Sequence, residues 1–504
     1  MRRWHVAAAS IAVTGMILGA GVTAQQRPPS KVEAKDMQLV GFNDLQARSA
    51  YQPIVERQGD RYIAYIGHHG GVQPNPQAGG QPQPNGTSIV DVTNPRQPRY
   101  LAHIPGEQGE GEGGGAQMVR MCLGSQLPRG DRSKAYLLRS YGNSGHEIWD
   151  VTDPAKPSKI LTIVQGLRNT HKNWWECDTG IAYLVGGDPA WRTRRMTKIY
   201  DLSDPANPKF IRDFGLPGQQ PGSTMMPVPT ELHGPISLGP KGNRVYFGYG
   251  TGQAGIVQIV DREKLLNGPK EPTEANLLYP QIARLDLPPD AGAHTTLPIL
   301  GMQLPEFAKQ TLPDALAKQA DQDHGPGVSL PKTQASRDFI AAVGETTANE
   351  CNEARQMVRM IDITFENKPV AVSTWNVPEA PGNFCSRGGR FGAHSSQESM
   401  TPIYYGRILF VSFFNAGLRA VDIRDPFNPK EIASYIPAVT DKTDKRCVGR
   451  GAEERCKIAI QTNNLEVDDR GYIYIVDRAN TGMHILELTG AARRVANFPL
   501  GSTN

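Results

Sequence analysis

The sequence contains no C-x-x-C, no H-E-x-x-H, no G-x-x-x-x-G-K-[ST] and no G-x-S-x-G. These absences argue against a dithiol or zinc-ribbon motif, a zincin, a P-loop and a hydrolase nucleophile elbow. Charge of one sign is scarce as well. Against 54 Lys and Arg stand 50 Asp and Glu, a formal +4 over 504 residues, too little for a dedicated nucleic-acid surface. After the amino terminus no apolar run is long enough to span a membrane. With 21% charged and 38% hydrophobic residues the chain is not of the disordered type. What it has in abundance is 53 glycines and 40 prolines, without the one-in-three glycine period of collagen, so turns are frequent and elements short.

Arg2 and Arg3 precede the apolar run 6–22, and Val22-Thr23-Ala24 offers small residues at a cleavage point. Residues 1–24 therefore read as a signal peptide, the alternative being a retained anchor near the lower length limit for a span. The expected location is periplasmic or secreted, with no membrane insertion after cleavage. Removing Arg2 and Arg3 leaves the remainder near neutral, so the expected partners are a small-molecule ligand or a periplasmic protein, not nucleic acid. Export makes the six cysteines readable as disulfides. Cys447 and Cys456 bracket a short polar loop, Cys351 and Cys385 flank one apparent unit, and Cys122 and Cys177 remain.

The chain repeats itself. One phrase recurs as SIVDVTNPRQP (88–98), EIWDVTDPAKP (147–157), KIYDLSDPANP (198–208), MIDITFENKP (360–369) and AVDIRDPFNP (420–429), with weaker copies at QIVDREKLL (258–266) and ILELTG (485–490). The aligned acidic positions are Asp91, Asp150, Asp201, Asp261, Asp362, Asp422 and Glu487. Each copy is an apolar β-branched strand, a turn rich in Asp, Asn and Pro, and a further apolar run, with another strand upstream such as YIAYIG (62–67) or RVYFGYG (244–250). Four short antiparallel strands per unit make a propeller blade, and seven units predict an all-β, seven-bladed β-propeller over 25–500. The segment 39–55 is a candidate to supply a missing strand to the last blade and fasten the ends together. The repeated phrase resembles the LVIVD-repeat family of exported bacterial proteins. That resemblance implies the propeller fold and says little about activity, because propellers host enzymes, receptors and scaffolds alike.

Six spacings between the aligned acidic residues run 59, 51, 60, 101, 60 and 65 residues. The long one predicts an insertion in blade 5, about 301–335, with helical periodicity in LPDALAKQA. At the start of the innermost strand four consecutive blades carry histidine: His171, His233, His294 and His394. His171, His233 and His394 lie 30, 28 and 28 residues before their repeat Asp, and His294 joins them once the insertion is discounted. His324, in DHGPGVSL, competes with His294, which is preferred. Innermost strands line the central channel, so these imidazoles converge, and neutral imidazole suits iron, copper or zinc. A histidine-bound metal on a propeller axis is similar, in architecture alone, to the carotenoid-cleaving oxygenases. The alternative is that each His caps a turn or bonds a neighbouring blade.

Turns between second and third strands add His68, His69, Arg139, Asp188, Glu345, Asn415 and Arg478 to the same rim. Of the adjacent pair only one imidazole can face inward, since side chains alternate along a strand. His69, Glu345 and Arg478 are the candidate catalytic residues, with Glu345 also a candidate ligand or orienter of a ligating imidazole. The tract 70–86 reads as a mobile rim loop, and EGEGGGAQ (110–117) as glycine-rich without a phosphate role. The expected function is an exported propeller that binds a transition metal and acts oxidatively or hydrolytically on a small molecule. Two other readings stand beside it: a non-catalytic periplasmic scaffold, and a calcium-dependent hydrolase using Asp188, Glu345 and Asn415.

Overall fold

A computed structural model describes residues 31–304 and 336–499. Seven antiparallel sheets built on four strands follow one another along the chain, six running from innermost to outermost strand in sequence order and the seventh taking its outermost strand from the amino-terminal segment. Their inner strands are Ala50–Gln58, Val119–Leu123, Trp174–Trp175, Leu232–Ser237, Thr295–Gln303, Ser395–Ser396 and Thr462–Val467. This is a seven-bladed β-propeller. The inner strand of blade 5 takes in Gly301–Gln303, the first residues of the expected insertion, while 305–335 and the expected signal peptide lie outside the described residues.

The recurring phrase has a local cause. Asp91 Oδ1 accepts the Thr93 N–H at 2.9 Å, and the same bond recurs from Asp150 to Thr152 (3.0 Å), Asp201 to Ser203 (2.8 Å), Asp362 to Thr364 (2.9 Å) and Asp422 to Arg424 (3.1 Å). Each carboxylate ends the third strand and turns the chain toward the fourth. The weaker copy differs for a physical reason: Asp261 accepts the Lys264 N–H at 3.0 Å and caps the helix Arg262–Asn267 in place of the turn.

Alternating apolar residues of facing blades interlock. Ile63, Tyr65 and Ile89 of blade 1 meet Val119 and Leu137 of blade 2, all buried. The seam between blades 1 and 7 is filled in the same way by Val90, Ile66, Tyr474 and Ile485. Ring closure is made by the amino-terminal segment. Met37–Asn43 pairs with Met483–Leu488 as the outermost strand of blade 7, and Glu33–Lys35 extends blade 6. The expected 39–55 strap is thus divided: its first part closes blade 7, whereas Ala50–Gln58 is the inner strand of blade 1.

Disulfides join Cys122 to Cys177, Cys351 to Cys385 and Cys447 to Cys456, leaving no free cysteine. Three bridges suit a chain matured in an oxidising compartment. No helix among the described residues is long and apolar enough to cross a membrane.

Two tracts of the rim form strands. Tract 70–86, expected as a rim loop, takes the form of a hairpin in which Val72–Asn75 pairs with Gln81–Pro84. Buried Arg48 holds it, donating to Asn85 Oδ1 at 2.7 Å and to Gln73 O at 3.0 Å. The glycine-rich stretch forms the strand Gly111–Ala116, paired to the end of blade 1's second strand through His68↔Ala116 and His69↔Gly115. Side chains are excluded there because a Cβ on Gly115 would lie 2.3 Å from His68 O.

Candidate metal centre

His171, His294 and His394 enter the channel by one backbone rule. Their N–H groups donate to Val185 O, Val343 O and Ser412 O at 3.0, 2.8 and 3.0 Å, each on the second strand of its own blade. His233 lies within the inner strand of blade 4. Successive rings come into contact, with centroids 4.4 Å apart for His171 and His233, 3.6 Å for His233 and His294, and 4.5 Å for His294 and His394. All four are at most 2% exposed. Burial pushes each imidazole well below the usual histidine range, so all four are neutral and keep a lone pair at neutral pH.

Hydrogen bonds decide where two of those lone pairs point. His394 Nδ1 lies 2.8 Å from Asn463 O, which only accepts, so Nδ1 carries the proton. Its Nε2 is then a bare acceptor, buried and without a hydrogen-bond partner. His294 Nδ1 lies 3.0 Å from Thr295 Oγ1, which also accepts from Lys172 Nζ at 3.0 Å. Ser395 Oγ, 3.2 Å from Thr295 Oγ1, donates its proton to Ser396 O and so accepts from Thr295. The threonine proton is used there, and His294 Nδ1 must be the donor. Its Nε2 therefore faces the cluster as a lone pair too. His171 Nε2 and His233 Nε2 stand 2.7 Å apart, while neither Nδ1 has a partner in the protein.

Carboxylate joins imidazole at one side. Glu345 Oε1 lies 3.7 Å from His394 Nε2 and Oε2 4.0 Å from His294 Nε2. Ligand atoms of His233, His294 and Glu345 fall within 4.8 Å of one another. A metal–nitrogen bond of about 2.1 Å in tetrahedral geometry sets ligand pairs about 3.4 Å apart, so the set would draw together by up to about 1.4 Å on binding an ion. Burial raises the Glu345 carboxyl above its ordinary range, and the Arg390 guanidinium, donating to Oε1 at 2.9 Å, opposes that shift.

Several of these residues carried no sequence signal. Tyr51, on the inner strand of blade 1, places its hydroxyl 3.1 Å from His171 Nε2 and 3.5 Å from His294 Nε2. Burial drives its phenol well above the ordinary range, so it stays protonated. A search for recurring histidine passes over it because blade 1 has tyrosine among the converging side chains. Arg195, Arg390 and Glu112 are also new to the rim, the first two arriving from loops of unrepeated length and Glu112 from the strand Gly111–Ala116.

Other expected residues separate. His69 does face the channel, its ring 4.9 Å from Tyr51 and its Nε2 3.0 Å from Arg478 Nη2. His68 turns the other way, as strand alternation requires, but it is buried against Ser88 (2.8 Å) and not solvated. Arg139 is locked on Glu147 (2.9 Å) between blades, and Asp188 pairs with Lys198 at 2.8 Å. Asn415 donates to Phe384 O and Gly388 O, both at 2.9 Å. Asp188 and Asn415 are thus committed elsewhere, which removes two of the three ligands of a calcium site. His324 lies outside the described residues; His294 occupies the position for which the two compete.

No protein-family model matches this sequence, and no curated protein matches it. Solved structures similar to it include the WD40 domain of Toxoplasma gondii coronin, at 10% identity and TM-score 0.43 over 93% of this chain and 89% of that one. Sqt1 from Chaetomium thermophilum is similar at 11% identity and TM-score 0.44, over 90% of this chain and 99% of that one. Likeness at such identity concerns the fold, and neither structure bears on the histidine cluster.

Proposed function

We propose that the protein is an exported enzyme, periplasmic or secreted, that binds a transition-metal ion through His171, His233, His294 and His394 and acts on a small molecule. The proposed kinship is with LVIVD-repeat propellers, on the strength of the repeat phrases. One observation carries the metal reading: His394 Nε2 is a buried lone pair with no donor, and its tautomer is imposed by Asn463 O. An uncompensated buried acceptor costs about 1–3 kcal/mol, and a cation shared with the facing imidazoles would satisfy it. All-imidazole donors with a nearby carboxylate suit iron, copper or zinc better than calcium.

A metal held there would supply Lewis acidity or electron transfer to a small molecule at the channel mouth. The chain's own contributions follow from the geometry. Asn463 O and the Lys172–Thr295 pair orient two ligating rings from behind, as outer partners of metal-bound histidines commonly do. Tyr51 offers a neutral hydroxyl to the inner face of the ring. Glu345, steadied by Arg390, stands as a further ligand or as a proton acceptor beside His394.

Metal analysis of the purified mature protein tests the proposal. The expected result is one metal ion per chain, lost in His233→Ala and in His394→Ala. Stoichiometric metal that survives both substitutions overturns it.

A further inference from the structure

At the rim opens a cavity of about 540 Å³ whose wall carries His69, Arg390, Arg446 and Arg478, with Glu345 linking Arg390 to the buried histidines. The three guanidiniums come from separate segments, Arg446 from the strand Lys445–Val448, so their meeting is a product of the closed ring. Most rim cations have a carboxylate of their own. Arg390 donates to Glu345 Oε1 at 2.9 Å, Arg446 to Asp444 Oδ2 at 2.7 Å, and Arg195, behind the wall, to Glu112 Oε2 at 3.3 Å. Arg478 is different. Its Nη2 contacts His69 Nε2 at 3.0 Å, and the nearest oxygens of Glu112 and Glu345 are both 3.7 Å away. Its Nη1 is buried with no hydrogen-bond acceptor.

The charges do not cancel. Around the mouth Arg195, Arg390, Arg446 and Arg478 face one buried carboxylate, Glu345, while Glu110, Glu112 and Asp444 are exposed, where water screens them. Repulsion from Arg478 adds to burial in lowering the Arg390 guanidinium to about 10. Two guanidiniums converge on one carboxylate that already serves the histidines. A buried ionic donor of this kind is stabilised by an incoming anion.

We propose that this cavity binds a small molecule bearing a single carboxylate, seated on Arg478 beside His69. A planar two-oxygen anion matches the guanidinium fork of Arg478, whose buried Nη1 has no acceptor. The proposal rests on the metal reading for the fate of the ligand, not for its binding.

Calorimetric titration of the purified full chain with benzoate and with benzamide, its neutral counterpart of equal size, tests it. Metal content is measured on the same sample. Benzoate is expected to bind at least tenfold more tightly than benzamide, with the difference shrinking as salt rises. Arg478→Met is expected to weaken benzoate at least tenfold and to leave benzamide unchanged. Equal binding of the two, binding of neither, or an unchanged benzoate affinity in R478M overturns the proposal. Should R478M fail to fold, the comparison of the two ligands on the unaltered protein decides alone. Discrimination without metal sinks the metal reading and keeps this one; metal without discrimination does the reverse.

Discussion

Glu466 lies on the inner strand of blade 7, 5% exposed, on the side of the channel away from the histidine rim. Its carboxylate accepts the Val467 N–H at 2.8 Å, with a smaller contribution from the Ser399 N–H. Nearby Lys172 and Arg120 both form ion pairs with Glu398, so the local cations are already engaged. Burial, with Glu398's charge adding to it, raises the Glu466 carboxyl from 4.5 to about 8. At about 1.4 kcal/mol per unit the shift corresponds to about 5 kcal/mol. The folded state holds this proton more tightly than the unfolded state. Its stabilising contribution is therefore complete below pH 4.5 and is lost as pH rises toward 8, above which the dependence is flat. Glu466→Gln keeps the shape and removes the titration. In urea unfolding at pH 5, 6.5, 8 and 9, the variant should match wild type within about 1 kcal/mol at pH 5 and exceed it by up to about 5 kcal/mol at pH 8 and above. A difference between the two proteins that stays constant across this range refutes the reasoning.

Three further outcomes are expected. Metal at a hundred times its dissociation constant stabilises the fold by about 2.7 kcal/mol. A 504-residue chain unfolds with an entropy of about 1 kcal/mol/K, so the melting temperature should rise by about 3 °C, and calorimetry should find no rise in His394→Ala. The Cys122–Cys177 bridge closes a loop with a sequence separation of 55, and its replacement by two serines should cost about 4 kcal/mol in denaturant titration. Deleting residues 31–43 bares the edge of Met483–Leu488, and hydrogen exchange should speed up first in blade 7, with self-association appearing in light scattering.

Much of the fold was legible because propeller blades are local. The turn after Asp150 or Asp201 is closed by an oxygen two residues away, so the same short phrase returns wherever the same turn is needed. His171, His233 and His394 could be aligned because each sits a nearly fixed distance before that phrase. The partition of 39–55 was less legible, since strand character in Met37–Asn43 and in Ala50–Gln58 does not say which sheet each one joins. Tract 70–86 read as a rim loop from composition alone; its hairpin is held by the guanidinium of Arg48, which nothing nearby in the sequence announces.

By itself, then, the amino-acid sequence determined the number of blades, the turn chemistry and four histidines in one register, all consequences of interactions within a few residues or of repetition. Tertiary structure alone decided what meets on the axis. Ring closure brings Tyr51 of blade 1 to within 3.1 Å of His171 of blade 3, and sets Asn463 of blade 7 behind His394 of blade 6. It also leaves Arg478 without a carboxylate of its own, because the count of charges at the mouth is a sum over loops that share no sequence pattern.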